Sequence, residues 1–443
     1  MISDDEWRNC LDLLRRVARN TDLAADQTEF KTLVAKINRG ARRKLKASAA
    51  FSRRQNDADE IASVLASRRD QLNRLEIEES GPERLTQGAL RCYACASKYQ
   101  RLHHFYHRLC PDCAELNYRK RLEIIDLSGR IAVVTGGRVK IGFEVALRLL
   151  RQKARVIVTT RFPVNALRRY QAEADYADWG DRLDLYGLDL RYLSDVHAFA
   201  EWLDTRFGHI DILINNAAQT IRRTADFYAP LLADEREEIA SPCIAHRTAN
   251  RFRAVDLLLT TQAKASPLPV DRYGEVVETP YKNSWYLRLD EVDTREMVET
   301  QVINAMAPFI LCAQARGLMR KSPRDKRFIV NVGAMEGQFS HTGKGALHPH
   351  NNMSKAALSM LTRTAAVDYA TDGIFMNSVD PGWISSETPR AVERRVQGLD
   401  YDLPLDCIDA AARILDPIVQ SLDPLCQAPP CGLYWKDYRP SEW

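Results

Sequence analysis

Four cysteines are arranged as two pairs with the spacing of a metal site. The pairs are Cys92-Tyr-Ala-Cys95 and Cys110-Pro-Asp-Cys113, and fourteen residues separate them. Thiolates at this spacing are typical of a four-cysteine zinc ribbon, in which they close a tetrahedral coordination sphere and leave no position for water. We therefore predict a structural zinc ion on these cysteines, with His103, His104 and His107 as alternative ligands in the intervening loop.

A glycine turn between a strand and a helix is the second feature that could perform chemistry. The apolar run Ile131-Ala-Val-Val134 ends at Thr135-Gly136-Gly137, and helical spacing of apolar residues begins after Gly142. Such a turn points backbone N–H groups and the positive end of a helix at the space above the strand, where a pyrophosphate fits. A single glycine turn is also compatible with an ordinary loop, so the neighbouring elements decide its meaning.

Further buried strands follow this turn. We predict them at 155–161, 183–188, 210–214, 327–332, 375–379 and 432–437. The strand at 183–188 is followed by Asp189, and the strand at 210–214 runs into Asn215-Asn216-Ala217-Ala218. The order of strands and helices predicts an α/β fold with a doubly wound parallel sheet.

On these residues the chain resembles the short-chain dehydrogenase/reductase family, whose motifs are a Thr-Gly-x-x-x-Gly-x-Gly turn and an Asn-Asn-Ala-Gly strand end. The resemblance covers about residues 125 to 443 and implies a Rossmann-type sheet that binds a dinucleotide. The cofactor contacts that it implies are Gly136, Arg138, Lys140, Ile141, Gly142, Arg161, Asp189, Leu190, Asn216, Ala217, Ala218, Lys355, Pro381, Gly382 and Ile384.

Three basic residues depart from the usual pattern of NAD enzymes. Lys140 replaces the middle glycine of the turn, Arg138 lies beside it, and Arg161 stands where those enzymes usually carry Asp or Glu. A 2′-phosphate requires cationic partners, so the resemblance implies NADP, with NAD as the alternative. These cations are also open to interpretation as solvated surface charges.

The family's catalytic residues are only partly present. Lys355 matches the lysine of the Tyr-x-x-x-Lys signature, whose family role includes the nicotinamide ribose hydroxyls, and Asn304 matches the helix asparagine that holds a water for proton relay. Asn351 replaces the tyrosine that donates the proton, and Ala334 replaces the serine that hydrogen-bonds the substrate carbonyl. An amide does not give up a proton at neutral pH, and alanine has no hydroxyl.

Two functions are therefore open. The first is a divergent NADP(H)-binding oxidoreductase with another acid, for which His348, His350 and Glu336 are the nearest titratable candidates. The second is a redox-silent, dinucleotide-binding adaptor or sensor. A non-redox enzyme that uses the same pocket is a third, weaker alternative.

Two segments of the dehydrogenase-like region complete this comparison. Asp380-Pro381-Gly382 resembles the family's segment beside the nicotinamide carboxamide, and Thr388 matches the threonine that often follows it. Between about residues 219 and 290 stands an insertion at the carboxyl ends of the strands, where α/β sheets bind substrates. We predict that this insertion is a lid or a partner-binding segment.

The N-terminal third is helical and locally basic. We predict helices at about 7–17, 29–50 and 57–79, and between Lys31 and Arg54 there are nine cations and no acid. Lys36, Arg39, Arg43 and Lys46 would share one face, which either meets nucleic acid or an acidic protein or is simply solvated. The predicted domains are a helical basic segment at 1–88, a zinc ribbon at 89–120 and the dehydrogenase-like domain at 125–443.

Composition limits the class of protein. The net charge of +4 over 443 residues excludes a polycation as a whole, and 45% hydrophobic with 28% charged residues is typical of globular domains. The N-terminus shows no apolar leader and no apolar run approaches a membrane span, while ten cysteines are explained most simply as free thiols or metal ligands. We expect a cytoplasmic protein with a small-molecule or nucleotide ligand and no membrane partner, and family members often pair as homodimers through the helices around Asn304 and Lys355.

Overall fold

A computed structural model describes residues 2–74, 81–223, 225–237, 241–246, 283–341, 343–384 and 403–443. The chain divides into two units, Met1–Ala114 and Glu115–Trp443. The division falls inside the predicted zinc ribbon at 89–120, because one helix continues from the second pair of cysteines into the second unit.

Two helices begin the first unit. Helix α1 is Asp4–Arg19, and it starts at a capping box in which the Ser3 hydroxyl accepts from the Glu6 amide and the Glu6 carboxylate accepts from the Ser3 amide. Helix α2 is Thr28–Arg74, a single helix of 47 residues that spans about 70 Å. The prediction of two separate helices at 29–50 and 57–79 was wrong, because residues 51–56 contain neither Gly nor Pro to interrupt the backbone hydrogen bonds.

A β-hairpin packs on the second half of α2. Strands β1 (Arg84–Arg91) and β2 (Lys98–Leu102) are antiparallel, and the predicted boundary at residue 88 therefore falls within β1. Asp57 accepts hydrogen bonds from the backbone of Gln87 and Gly88 at 2.6 and 3.0 Å. Helix α3 (Pro111–Leu122) begins between the cysteines of the second pair.

The second unit contains a nine-stranded sheet in its described part. The order is β11-β10-β9-β8-β6-β3-β4-β5-β7, and every adjacent pair except β10 with β11 is parallel. The strands are β3 (Ile131–Thr135), β4 (Arg155–Thr160), β5 (Leu183–Gly187), β6 (Ile212–Asn215), β7 (Ile244–His246), β8 (Arg327–Val332), β9 (Ile374–Val379), β10 (Tyr434–Lys436) and β11 (Arg439–Ser441).

Helices cover both faces of this sheet. They are α4 (Lys140–Arg151), α5 (Pro163–Gln171), α6 (Tyr176–Trp179), α7 (Leu193–Phe207), α8 (Ala225–Glu235), α9 (Thr294–Gln301), α10 (Ala307–Arg320), α11 (Pro349–Ala370) and α12 (Cys407–Leu422). Adjacent β3 residues Val133 and Val134 belong to different apolar clusters, one packed with α7, α10 and α11 and the other with α4 and α12. The predicted α/β fold with a doubly wound, mostly parallel sheet is thus confirmed.

Two strands were not predicted. β7 lies at one edge and comes from the insertion, and β11 folds back on β10 so that the sheet does not end at the predicted strand 432–437. Of the insertion at about 219–290, residues 224, 238–240 and 247–282 lie outside the described residues, and the prediction of a lid concerns mainly these.

One described helical stretch, Thr294–Arg320, is long and apolar enough to cross a membrane by length and composition alone. Core helices of soluble proteins pass the same test, so a single helix of this kind is weak evidence for a membrane span.

Candidate functional site

Close backbone packing explains the glycines of the turn after β3. Gly136 has φ +70°, and a Cβ there would lie 2.9 Å from the Cα of Ala217. A Cβ at Gly142 would lie 2.5 Å from Nδ2 of Asn216. Side chains at either position would separate the turn from the end of β6, so the turn keeps its shape only with glycine.

Hydrogen bonds connect this turn to the residues that follow β6. The Asn216 amide nitrogen donates to the backbone carbonyls of Thr135 and Gly136 at 3.0 and 3.3 Å. The Thr135 hydroxyl accepts from the backbone amides of Asn216 and Ala217, both at 3.0 Å. The ends of two neighbouring parallel strands are therefore held as one rigid floor.

A cavity of about 380 Å³ opens above this floor. It lies at the carboxyl ends of the strands, where open α/β sheets bind ligands. Most of the predicted cofactor residues line it, namely Gly136, Arg138, Lys140, Ile141, Gly142, Arg161, Asp189, Leu190, Asn216, Ala217, Ala218 and Ile384. Lys355, Pro381 and Gly382 are not among the lining residues.

The charge of the lining is mainly positive. The Arg138 guanidinium donates to Asn165 Oδ1 at 3.0 Å, and the Arg161 guanidinium donates to the Tyr228 hydroxyl at 3.2 Å. Burial would raise the pKa of Asp189, but hydrogen bonds from Arg191, the nearest at 2.6 Å, outweigh burial and lower it. Asp189 is thus an ionised carboxylate whose charge Arg191 already balances.

Lys140 has an uncommon backbone conformation. Its φ is +54°, in the left-handed region that favours glycine, at the position where the sequence comparison places glycine. A lysine there carries a strain of about 1–2 kcal/mol. Lys140 is also one of the residues that line the cavity.

Residues of helix α8 and the segment before it line the cavity as well, and sequence reasoning did not identify them as site residues. Arg223 lies over the Phe227 ring at 5.0 Å, and Arg161 lies over the Tyr228 ring at 4.9 Å. The Glu235 carboxylate accepts hydrogen bonds from the backbone amides of Val164 and Asn165 at the start of α5. No motif marks these residues, since they belong to the insertion.

Lys355 is buried on α11 and reaches the end of β8. Its ammonium donates to the Val332 carbonyl at 2.9 Å. Burial lowers the pKa of Lys355 to about 8, and the nearby carboxylates of Glu336 and Asp380 oppose this shift only in part.

Asn304 and Asn351 contact each other, and Asn351 lies one helical turn before Lys355 on α11. Asn304 lies in a π-helical turn, Val302–Met306, between α9 and α10. Its Oδ1 accepts from the Gln219 amide at 2.7 Å, and its Nδ2 lies 3.1 Å from the Gln219 carbonyl, 3.0 Å from Ser354 Oγ and 3.5 Å from Asn351 Oδ1. The structure thus brings together the two asparagines that were predicted to belong to the site.

The remaining predicted catalytic residues differ in their surroundings. Ala334 precedes a short turn, Met335–Gly337, and a Cβ at Gly337 would lie 2.7 Å from the Lys355 carbonyl carbon, so this loop packs closely on α11. His350 is buried, with Nε2 3.8 Å from a Glu296 carboxylate oxygen on α9. Burial lowers the pKa of His350, which keeps the imidazole neutral at pH 7.

The Pro381–Gly382 segment forms a turn that the preceding residue, Asp380, stabilises by a hydrogen bond. Asp380 accepts a hydrogen bond from the Gly382 amide at 2.8 Å, and Gly382 has φ +87°. Burial raises the pKa of Asp380. Thr388, the last residue of this predicted segment, lies outside the described residues.

The four predicted zinc ligands converge in the first unit. The Sγ atoms of Cys92, Cys95, Cys110 and Cys113 all lie within 4.8 Å of one another. The Sγ atoms of Cys95 and Cys110 are 3.6 Å apart, close to the ~3.8 Å expected for two thiolates bound tetrahedrally at ~2.3 Å from zinc. This arrangement fits a zinc ion and is too wide for a disulfide at that pair.

Comparison with known proteins identifies the family to which the chain is similar. A model described as short chain dehydrogenase matches residues 130–235, and one described as Enoyl-(Acyl carrier protein) reductase matches residues 282–403, so that together they cover about half of the chain. An uncharacterized protein of Acanthamoeba polyphaga mimivirus is 30% identical over 367 residues, 79% of this chain and 74% of that protein. Short-chain dehydrogenase/reductase 1 of Saponaria officinalis is 24% identical over 272 residues, 58% of this chain and 82% of that protein.

Among solved structures, the NADPH-bound carbonyl reductase from chicken fatty liver aligns with 72% of this chain and 100% of its own, at 18% identity and a TM-score of 0.45. The glycine turn, the Asn-Asn-Ala strand end and the parallel sheet order lie in the same residues that the family models match. The chain therefore belongs to the short-chain dehydrogenase/reductase family.

Proposed function

We propose that this chain binds NADP(H) above the glycine turn and acts as an oxidoreductase with a non-standard proton donor. The supporting observation is the charge of the cavity lining. Arg138, Lys140, Arg161 and Arg223 face the cavity, whereas Asp189, the one carboxylate among its described lining residues, is paired with Arg191. A ligand with a phosphate beyond the pyrophosphate matches this charge better than NAD does.

The residues that would hold the dinucleotide are those of the glycine turn and of the β4, β5 and β6 ends. Backbone amides after Gly136 would meet the pyrophosphate, and Arg161 with Arg138 would meet the 2′-phosphate. Bound there, the dinucleotide supplies or accepts a hydride. The proton has to come from the protein.

Lys355 is the residue best suited to supply that proton. It is buried, its pKa is about 8, and only one of its three N–H groups is used by the Val332 carbonyl. The Asn351 amide would donate a hydrogen bond to the substrate oxygen in place of the family's tyrosine. Asn304 would hold Asn351 in position through the Oδ1 of Asn351, and Ser354 through the Asn351 backbone carbonyl. His350 faces Glu296 on α9, so it would help to position α11 and would not serve as the acid.

A redox-silent adaptor is the second candidate, and the contacts of Asn304 favour it. Its side chain is engaged with the Gln219 backbone and with Ser354, so it is not positioned to order a relay water. In this function the cavity would bind a nucleotide without turnover, and the basic N-terminal segment would bind a polyanionic partner, either a nucleic acid or an acidic protein.

Zinc is proposed for the four-cysteine cluster, as a structural ion. Four thiolates close the coordination sphere, so the ion would join the turn before β2 to the start of α3 and take no part in catalysis. We also propose a homodimer. Its support is a set of exposed apolar side chains on the helices around Asn304 and Lys355: Met306, Phe309, Met353, Met360 and Val367.

A titration of the full chain with NADPH and NADH, followed by nicotinamide fluorescence, tests binding. Absorbance at the nicotinamide band with a panel of ketones and aldehydes tests turnover. Tighter binding of NADPH with turnover of a carbonyl supports the oxidoreductase, and tight binding without any turnover supports the adaptor. If neither nucleotide binds, both candidates are wrong.

A further inference from the structure

The first half of α2 carries one charge sign along an exposed stretch of helix. Nine cations and no acid stand between Lys31 and Arg54, and all nine residues are exposed. We propose that one face of this stretch binds the phosphate backbone of double-stranded nucleic acid without reading its sequence. This inference rests on the second candidate function, a polyanionic partner of the N-terminal segment, and specifies that partner.

The periodicity of the helix gathers the cations on one side. At 3.6 residues per turn, eight of them fall within an arc of about 140°. This cationic face consists of Lys31, Lys36, Arg39, Arg42, Arg43, Lys46, Arg53 and Arg54. The ninth cation, Lys44, lies outside the arc. The face is about 35 Å long at 1.5 Å per residue, which corresponds to about ten base pairs of duplex.

Carboxylates of the described residues do not neutralise these charges. None of the eight forms an ion pair with a residue in the described part of the chain, and Lys31 and Arg39 only contact the backbone carbonyls of Ala25 and Ala35. The second half of α2 differs, because Glu60 pairs with Arg84 at 3.1 Å and Asp57 binds the hairpin backbone. An unneutralised row of cations is the electrostatic footprint expected for a polyanion.

The opposite side of the same stretch is apolar. Leu33, Val34, Ile37, Leu45 and Phe51 are 39–70% exposed and fall in an arc of about 120° that faces away from the cations. A basic side opposite an apolar side is also the pattern of a helix that lies in a membrane surface. Here, however, Lys44 falls within the apolar arc, so a helix with that side in lipid would carry an ammonium into it. This favours a polyanion that contacts the cationic face alone.

The residues between the cations indicate how the duplex would be recognised. They include Thr32, Ala35, Ala49 and Ala50, which offer few groups that hydrogen-bond to base edges. Contacts would be to phosphates, so affinity should depend strongly on salt and little on sequence.

The test uses the full chain and fluorescently labelled duplexes of about 20 base pairs, which exceed the length of the face at ~3.4 Å per base pair. Anisotropy would be measured for DNA and RNA duplexes of two unrelated sequences. We expect both sequences to bind alike, with an affinity that falls by on the order of 10³ between about 50 and 200 mM salt. Absence of binding to both duplexes at low salt would overturn the proposal.

Two neighbouring residues provide matched variants. Arg43→Glu and Lys44→Glu change the net charge equally on adjacent positions of the same helix, but only Arg43 lies in the cationic face. We expect Arg43→Glu to weaken duplex binding about tenfold, whereas Lys44→Glu has less than a twofold effect. Equal losses in both variants, with unchanged helicity by circular dichroism, would show that only net charge matters and would contradict the proposed face.

Two further probes separate this proposal from the broader partner hypothesis. If polyglutamate binds in an Arg43-dependent manner and duplexes do not, an acidic protein partner replaces nucleic acid. If phosphatidylserine vesicles bind more tightly than duplexes and Ile37→Glu removes that binding, the surface is a membrane anchor and the proposal is wrong. Neither result bears on NADPH binding, which is measured separately.

Discussion

The Lys355 ammonium on α11 donates a hydrogen bond to the Val332 carbonyl at the end of β8. The loop after β8 carries Ala334, so this hydrogen bond joins Lys355 to the strand that leads into the position predicted for the family's serine. Burial gives this lysine a pKa of about 8. Burial thus brings the titration of this ammonium closer to neutral pH than that of an exposed lysine.

Replacing Lys355 by methionine tests whether its ammonium is buried, because a buried ammonium makes the free energy of unfolding depend on pH. The pKa is lowered on folding, from 10.5 to about 8, so the unfolded chain binds more protons between these values and wild-type stability rises with pH across that window. The methionine variant lacks this gain. We expect its stability relative to wild type to fall by up to about 3 kcal/mol from pH 8 to 10.5, measured by urea unfolding at several pH values. Lys153→Met is the exposed-lysine control, and an equal pH response in both variants would show that Lys355 is not buried as a cation.

Arg161 should decide the choice of cofactor. Arg161→Gln removes a cation from the cavity, and we expect a loss of NADPH affinity of about 10–100-fold with NADH affinity nearly unchanged. Arg155→Gln, at the other end of β4 and paired there with Asp184, is the matched control. Fluorescence titration measures both. A parallel loss for NADPH and NADH would remove the assignment of Arg161 to the 2′-phosphate.

Lys140 and Lys153 have positive φ values of +54° and +71°. Glycine at either position removes strain of about 1–2 kcal/mol and adds chain entropy worth about 0.5–1 kcal/mol to the unfolded state, so neither variant should be destabilised. Only Lys140→Gly should also weaken NADPH binding, because only Lys140 lines the cavity. Thermal unfolding and titration provide the two readouts, and equal affinities in the two variants would exclude Lys140 from the cofactor site.

Introducing the family's serine and tyrosine tests whether the rest of the site can support carbonyl reduction. We expect Ala334→Ser combined with Asn351→Tyr to increase carbonyl reduction by about 100-fold or more, since a positioned general acid contributes on this scale. Ala334→Ser combined with Asn352→Tyr places the same side chain one residue away and should show no gain. An unchanged rate in a folded, NADPH-binding double variant would favour the adaptor.

We expect removal of zinc to destabilise the first unit, which contains the four cysteines. We expect one zinc per chain by elemental analysis, lost in Cys113→Ser and retained in Cys426→Ser. Loss of the ion should lower the melting temperature by about 5 °C or more, because structural zinc contributes directly to folding. A wild-type chain that is purified with zinc available and holds none would contradict the site.

The sheet could be predicted closely because buried parallel strands are continuous apolar runs between glycines and helical patterns. β8 has the predicted bounds, and β3, β4, β5 and β9 differ from theirs by one residue. The short strands β7 and β11 were missed, since three residues at a sheet edge carry no pattern. The break predicted in α2 followed a change in charge pattern, which is a property of the surface and does not interrupt a helix.

The sequence by itself determined the features that depend on local spacing: the cysteine pairs, the glycine turn and the family. It also carries the prediction that Asn351 and Ala334 stand in place of the family's tyrosine and serine. Only the tertiary structure decided that Arg223 and Tyr228 of the insertion line the same cavity as Arg161. It also decided the burial of Lys355 and the contact of Asn304 with Gln219, 85 residues away. Charge balance, burial and pKa are set by groups distant in the chain, because the sheet and its covering helices bring them together only when the whole unit has folded.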